Sequence, residues 1–466
     1  MEDPRDPMRE PRQRWFDDDA LPEPSARVER NHRRPPPAPR WSPPLLLNWV
    51  LFCQVVLVVL LYSYLKDDPL PWEGDIRRAA TQEFLPGLAA PSRLVTVLRL
   101  AERLDVAALP AVPVWQWDRL ALARLLEGQM ALLDCIQDLL EEKPEQWQPR
   151  NPLWMIEDLG SRPGWAAVAT VKQAEAEYLA GLGQERAAFL AAADLAVLAH
   201  RLERLDTWPS FMGLALDFHE RSAESLAVLL KQTQLSPEVL ASLQQTAYQP
   251  WAPTSEALRA AMSGYYAYER KLLLGADVGE HPLPPDVFAE RSGWLFFKPN
   301  ATLRLFTDSL GELKTNTRQT AVATTHQLEL RLQKMRRSRG VFLPTSNYQG
   351  EEYFATRIQP YIELTDRHYL VRAKRAAVMT LFAFRRYVAK EARLPPRIAD
   401  LIPDYLPASV IDPYSGEPLC YNATRGLIYS VGTDLKDEGG RPTVVPLAEA
   451  TEPTVETGIG MASTVR

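Results

Sequence analysis

The spacing of apolar residues changes along the chain, and each change marks a different kind of element. From Leu45 to Leu65 the run is continuous: "LLLNWVLFCQVVLVVLLYSYL" carries no charge, with Asn48 and Gln54 as its strongly polar members. That length suffices to cross the hydrocarbon layer as one helix. From about Asp75 to Leu394 apolar residues return every third or fourth position, as in Leu226, Leu229 and Leu230, which predicts helix after helix. "WDRLALARLLEGQMALLDCIQDLLEE" from Trp117 and "QERAAFLAAADLAVLAHRLERL" from Gln184 show the same stripe. Ser236-Pro237-Glu238 reads as a helix start, with Ser as cap, Pro in the first turn and Glu against the dipole. Near the end the period falls to two: Leu427, Tyr429 and Val431 are expected to share one face of a hairpin whose turn is Asn422 to Gly426.

The predicted fold is therefore mainly α: one N-terminal transmembrane helix, an α-helical extracytoplasmic domain and a small C-terminal helix-plus-β-hairpin module. The boundaries read as a cytoplasmic tail over 1–44, the span over 45–65, the helical domain over 70–370, the closing module over 371–445 and a loose tail over 446–466. No fixed repeat period emerges, which argues against a repeat solenoid. The first 44 residues hold nine Arg, nine acids and eleven Pro with no apolar period, a composition expected to stay unfolded. Arg27, Arg30, Arg33, Arg34 and Arg40 precede the span, whereas Asp67 and Asp68 follow it. Positive residues stay on the cytoplasmic side, so the N-terminus is expected inside and the bulk of the chain outside an inner (cytoplasmic) membrane.

Composition narrows the function. The 466 residues carry a net charge of −6 and no basic stripe, which excludes nucleic acid as a partner class. Cys53, Cys135 and Cys420 lie too far apart in sequence for a zinc site or a disulfide framework, although a bridge between the last two is conceivable.

Catalytic patterns start and stop. His219-Glu220 begins like a zinc-protease motif, but Ala223 stands where the second histidine is needed. His200 and Glu203 share a helix face and could approach His219 across a helical hairpin. Gly181-Leu182-Gly183 has neither the third glycine nor the preceding strand of a dinucleotide loop. Ser430 has Ile428 where a nucleophile elbow needs glycine, and Glu351-Glu352 reads as a solvated helix start. An apolar patch at Trp294 to Phe297 is expected in the core. Two sequons, at Asn300 and Asn422, are read as chance patterns.

The stretch "IDPYSGEPLCYNATRGLIYSVGTDLKDEGG", preceded by "RAAVMTLFAFRRYVAKEARLPPRIADLIPDYLPASV", gives the order helix, short helix, hairpin and acidic loop. With its "DPYSGEPLCY" and "YSVGTDLKDEGG" segments it resembles the carboxy-terminal part of the major pseudopilin of type II secretion. It also resembles the ending of a group of single-pass bacterial membrane proteins with an all-helical outer region. The resemblance implies architecture and, through the acidic loop, a Ca²⁺ ion held by Asp434 and Asp437. The residues themselves suggest the same pair, since oxygen ligands at short spacing on a glycine-bearing loop suit calcium. Otherwise no cofactor is expected. The functional expectation is a membrane-anchored binding or scaffold protein with a protein partner, possible in an envelope or secretion-related assembly; the alternative is an envelope hydrolase whose site is assembled from the helical domain.

Overall fold

The computed structural model describes residues 43–71, 92–142, 162–205, 209–274, 297–317, 319–338, 347–437, 439–440 and 454–456. The chain divides into two units, 1–63 and 64–466. The first contains almost all of helix α1, Pro43–Leu65. Its Leu47–Tyr64 window has a mean hydropathy of 1.9 and none of it is buried. Among the described residues it is the one helix long and apolar enough to cross a membrane.

The second unit is built from α2 (Ser92–Ala101), α3 (Arg119–Gly128), α4 (Met130–Glu141), α5 (Arg162–Gly181), α6 (Glu185–Leu205) and α7 (Pro209–Gln232). There follow α8 (Pro237–Ser242), α9 (Ser255–Leu274), α10 (Pro299–Asn316), α11 (Ala321–Ser338) and α12 (Tyr348–Glu391). The signal at Ser236 holds: its hydroxyl caps α8 by accepting from the Val239 N–H, with Pro237 in the first turn. Gly181-Leu182-Gly183 is a helix stop: Gly183 sits at φ 76° and the Gln184 N–H reaches the Leu179 carbonyl. A left-handed glycine at that position lets the chain reverse directly into α6.

Three large apolar clusters and a small fourth one fill this unit. The first joins α2 to α7 through Leu98, Ile136, Trp165, Leu198 and Phe218. The second packs the alanines of α5 and α6 and the leucines of α7 against Val378, Leu381, Phe382 and Phe384 of α12. The third sets Met212 and Leu216 of α7 with α9, α10, α11 and the first half of α12, including Phe354 and Ile358. Helix α7 enters all three large clusters. Helix α12, 44 residues long and so about 66 Å, enters two of them and, through Tyr369 and Ala373, the small one with Ala321, Tyr414 and Val431. The domain border expected at 370 falls inside α12, which is continuous there because its buried stripe passes without a break from Tyr369 to Ala373 and on to Val378.

The segment leaving α1 is tied to α10. The Asp67 carboxylate accepts from the backbone N–H groups of Asn300 (2.9 Å) and Ala301 (3.2 Å). Asp68 pairs with Arg304 at 2.9 Å. Lys298, at the cap position of α10, makes no side-chain cap of its own, so Asp67 supplies the missing acceptor and complements the helix dipole.

At the C-terminal end β1 (Cys420–Asn422) and β2 (Leu427–Tyr429) form the expected hairpin, antiparallel with Asn422 opposite Leu427. A third strand, β3 (Thr454–Glu456), pairs with the other edge of β2, in a segment the sequence reads as loose. The expected facing also changes. Leu427 through Val431 are all buried; Ile428 enters the second cluster with α12, and of the three expected inward residues Val431 packs with Tyr369 and Ala373 of the same helix. Tyr429 turns toward the acidic loop, where its hydroxyl donates to Asp437 at 2.8 Å. The two-residue period is genuine, but both faces are covered, so it does not identify the inner one.

Candidate functional site

The histidine and glutamate residues singled out in sequence do meet. Glu203 lies on α6 and His219 on α7, and His219 Nε2 is 3.2 Å from a Glu203 carboxylate oxygen. The other oxygen accepts from the N–H and the hydroxyl of Thr254, both at 3.4 Å. His200, one turn before Glu203 on α6, brings Nδ1 to 3.9 Å and sets its ring edge-on to Trp251. His219 Nδ1 has no hydrogen-bond partner, and a bare lone pair is cheaper to bury than a bare N–H, which assigns the proton to Nε2 as donor to Glu203.

Burial governs the electrostatics here. The side chains of Glu203 and His219 are each 1% exposed. Desolvation pushes the Glu203 carboxyl up to about 7 against the lesser opposing pull of His200, Thr254 and Arg375. Desolvation, aided by Arg375, holds His219 well below the ordinary imidazole range. His368 on α12 is driven down to about 3 by burial, with Arg372 and His219 adding to the effect. Among the described residues no group of three or more His, Cys, Asp or Glu is arranged to hold a metal ion. This is a polar core beneath Thr254 and Trp251 in which Glu203 joins His219 and Thr254, while among the described residues neither ring nitrogen of the buried His368 has a hydrogen-bond partner.

Two surface depressions lie elsewhere. A groove of about 490 Å³ runs between the 106–117 segment and the helices beneath it. One wall presents Pro110, Val112, Pro113, Trp115 and Trp117; Val112 and Trp115 are substantially exposed, and Trp117 is fixed by its indole N–H to the Val112 carbonyl at 2.9 Å. The floor is polar. Arg221 donates to Gln173 at 2.9 Å, Arg367 to Glu220 at 3.2 Å, and Lys374 bridges Glu220 and Glu224.

The second depression, a cleft of about 260 Å³, has Arg372, Arg375, Ala376 and Met379 of α12 on one side, with Ala252, Pro253, Ile411 and Pro413 opposite. A π-helical turn, Leu243–Tyr248, brings the Tyr248 ring beneath the Arg375 guanidinium, 3.8 Å from centroid to carbon. Arg375 also donates to the Tyr248 carbonyl. π-turns of this kind are enriched where a helix has been adapted to a site.

The remaining sequence candidates have structural partners. Ser430 donates to the Asp412 carboxylate at 2.7 Å; Asp412, 1% exposed, also accepts from the N–H groups of Tyr414 (2.9 Å) and Val431 (3.0 Å). The DPYSG turn is thus bolted to the strand exit by one carboxylate. Asp434 accepts from the Lys436 N–H at 3.1 Å. Asp437 accepts from the Gly439 N–H at 2.9 Å besides the Tyr429 hydroxyl. Both aspartates form local turns, and Glu438 lies outside the described residues. Glu351 stands in the first turn of α12, as its reading as a helix start implies. Asn300 donates its side-chain amide to the Asp68 carbonyl at 2.7 Å, and Asn422 holds the hairpin turn through the Arg425 N–H at 3.1 Å. Cys53, Cys135 and Cys420 are free thiols. Phe297 packs on the third cluster; Trp294 to Phe296 fall outside the described residues.

Sequence reading missed a second buried charge cluster. Glu269, fully buried on α9, accepts from the Tyr353 hydroxyl at 2.6 Å and from Arg357 Nε at 2.8 Å, while Tyr265 and Tyr361 stack at 3.7 Å. "GYYAYERK" carried the available signal, since a glutamate among three tyrosines needs a cation from another element. Compared with known proteins, the chain matches no family model, no curated sequence and no solved structure.

Proposed function

We propose that the protein is a membrane-anchored, extracytoplasmic binding protein whose helical unit receives a polypeptide partner in the groove beside Trp115. In this reading α1 is the anchor, the arginine-rich tail stays in the cytoplasm and residues beyond Lys66 face outward. The observation that carries the binding role is the groove itself. Exposed aromatic and proline side chains along one wall are the residue types that dominate protein interfaces. The opposite floor has its charges already paired, so docking there requires little desolvation of unmatched ions. An extended segment suits the groove, because a wall of tryptophan and proline side chains is the kind of surface on which extended chains dock. The Glu203–His219 pair supports the same reading: those groups are committed to one another and to Thr254 beneath the surface, which is a stabilising rather than a reactive arrangement. The closing module, with Asp434 and Asp437 as turn formers, serves as a cap on α12.

A photoreactive amino acid placed at Trp115 of the full chain in its native membrane tests the proposal, with the same substitution at exposed Leu330 on α11 as the control. The expected result is an adduct of defined mass from position 115 only, lost when Val112→Glu places a charge on the wall. Equal labelling at both positions, or none at 115, overturns it.

A further inference from the structure

Arg372 is held in a part-buried position where its ordinary reason for being there is missing. It lies on the side of α12 that faces the 260 Å³ cleft, half-buried, with its guanidinium carbon 5.5 Å from the centre of the Tyr369 ring. Among the described residues no carboxylate forms an ion pair with it. Burial depresses its pKa, and the Tyr369 phenol is the opposing influence. A guanidinium withdrawn from water is unfavourable unless an anion or a set of acceptors replaces the lost hydration.

One turn along, Arg375 lines the same cleft and has its own partners in the carbonyl and ring of Tyr248. The remaining lining is apolar: Ala252, Pro253, Ala376, Met379 and Ile411, the last about half exposed. The cleft therefore combines two guanidinium groups with hydrocarbon contacts.

We propose that this cleft binds a small organic anion, with a carboxylate or phosphate head on Arg372 and a short apolar body against Met379 and Ile411. The planar fork of a guanidinium matches both heads in bidentate fashion, and Arg375 adds a second positive charge at i+3 without leaving Tyr248. The volume suits a metabolite-sized ligand, at the small end of binding cavities. The lining comes from three stretches far apart in sequence: the turn after the π-helical segment, α12 and the DPYSG turn. A bound anion thus fastens the closing module to the helical body.

The same head group could come from a free metabolite or from an anionic lipid, and the two are separable. Full-length protein in nanodiscs of phosphatidylcholine is titrated with inorganic phosphate, glycerol 3-phosphate and hexanoate, and the unfolding midpoint is followed. A parallel sample in nanodiscs containing phosphatidylglycerol receives no added anion. A rise in midpoint with a soluble anion assigns a free ligand; a rise only with phosphatidylglycerol assigns the lipid head group. In either case Arg372→Gln is expected to weaken the response about tenfold or more, and Arg372→Lys to retain part of it. Should Arg372→Gln not fold, Met379→Glu supplies a competing carboxylate inside the cleft and is expected to abolish the response. No rise with any probe, or an unchanged rise in these variants, overturns the proposal.

Discussion

Glu203 shows what burial does to one residue. Its carboxyl pKa is raised, so the folded state holds the proton more tightly than the unfolded chain does. The stability it contributes is fully present below the unfolded value of 4.5 and is lost as pH rises through about 7. Glu177 and Asp366, each also pushed up to about 7 by desolvation, act with the same sign. His219 and His368 act with the opposite sign: their depressed values favour folding above the ordinary imidazole range and cost stability as pH falls. The difference between a variant and the parent isolates one group. Relative to the parent, Glu203→Gln is expected to gain on the order of 3 kcal/mol of stability between about pH 5 and pH 8. Urea denaturation across that range measures it, and a flat difference curve places the titrating proton elsewhere. The pairing of His200 and Glu203 toward His219 was legible in sequence, because their spacing puts the first two on one helix face. What was illegible was depth, since nothing local reports that Thr254 and Trp251 close over them.

Within elements, the DPYSG turn shows how one side chain stands in for a longer structural connection. Asp412 is buried and accepts three hydrogen bonds from Tyr414, Ser430 and Val431, while the Pro413 carbonyl accepts from the Ala321 N–H at 3.0 Å. The turn therefore holds the strand exit on one side and α11 on the other. Asp412→Ala strands three donors and is expected to cost about 3 kcal/mol, whereas Ser430→Ala removes one and is expected to cost about 1 kcal/mol. Chemical denaturation of the two variants, with Tyr429 packing followed by near-ultraviolet circular dichroism, checks the order. A comparable loss in both would mean that Ser430 rather than Asp412 is the centre of the bolt. The hairpin was readable from its turn residues and alternation, but the inward face was not. Leu427 and Tyr429 are covered by the acidic loop, where Gly440 lies against both side chains and Asp437 accepts from the Tyr429 hydroxyl, and that loop arrives from later sequence.

For the whole molecule, the proposed orientation has a direct test. A reporter active only outside the cytoplasm, fused after residue 70, is expected to be active, and the same reporter fused within the first 44 residues is expected to be silent; the reverse pattern overturns the topology. The helical class and the apolar span were plain in the sequence because periodicity is local. The sharing of α12 between clusters was not, since the helix changes its partners without changing its own geometry: its first half serves one large cluster and its second half another. That shared spine also sets an order in time. A chain made from its N-terminus completes the α2 to α7 cluster early, because that cluster draws on nothing after Phe218. The other two large clusters are completed only by α12, more than a hundred residues later, and the parts of α6 and α9 that α12 covers stay exposed in the interval. Contacts this distant slow folding and leave half-built intermediates prone to aggregation. Chaperone demand should therefore peak late in synthesis, just before the last helix emerges.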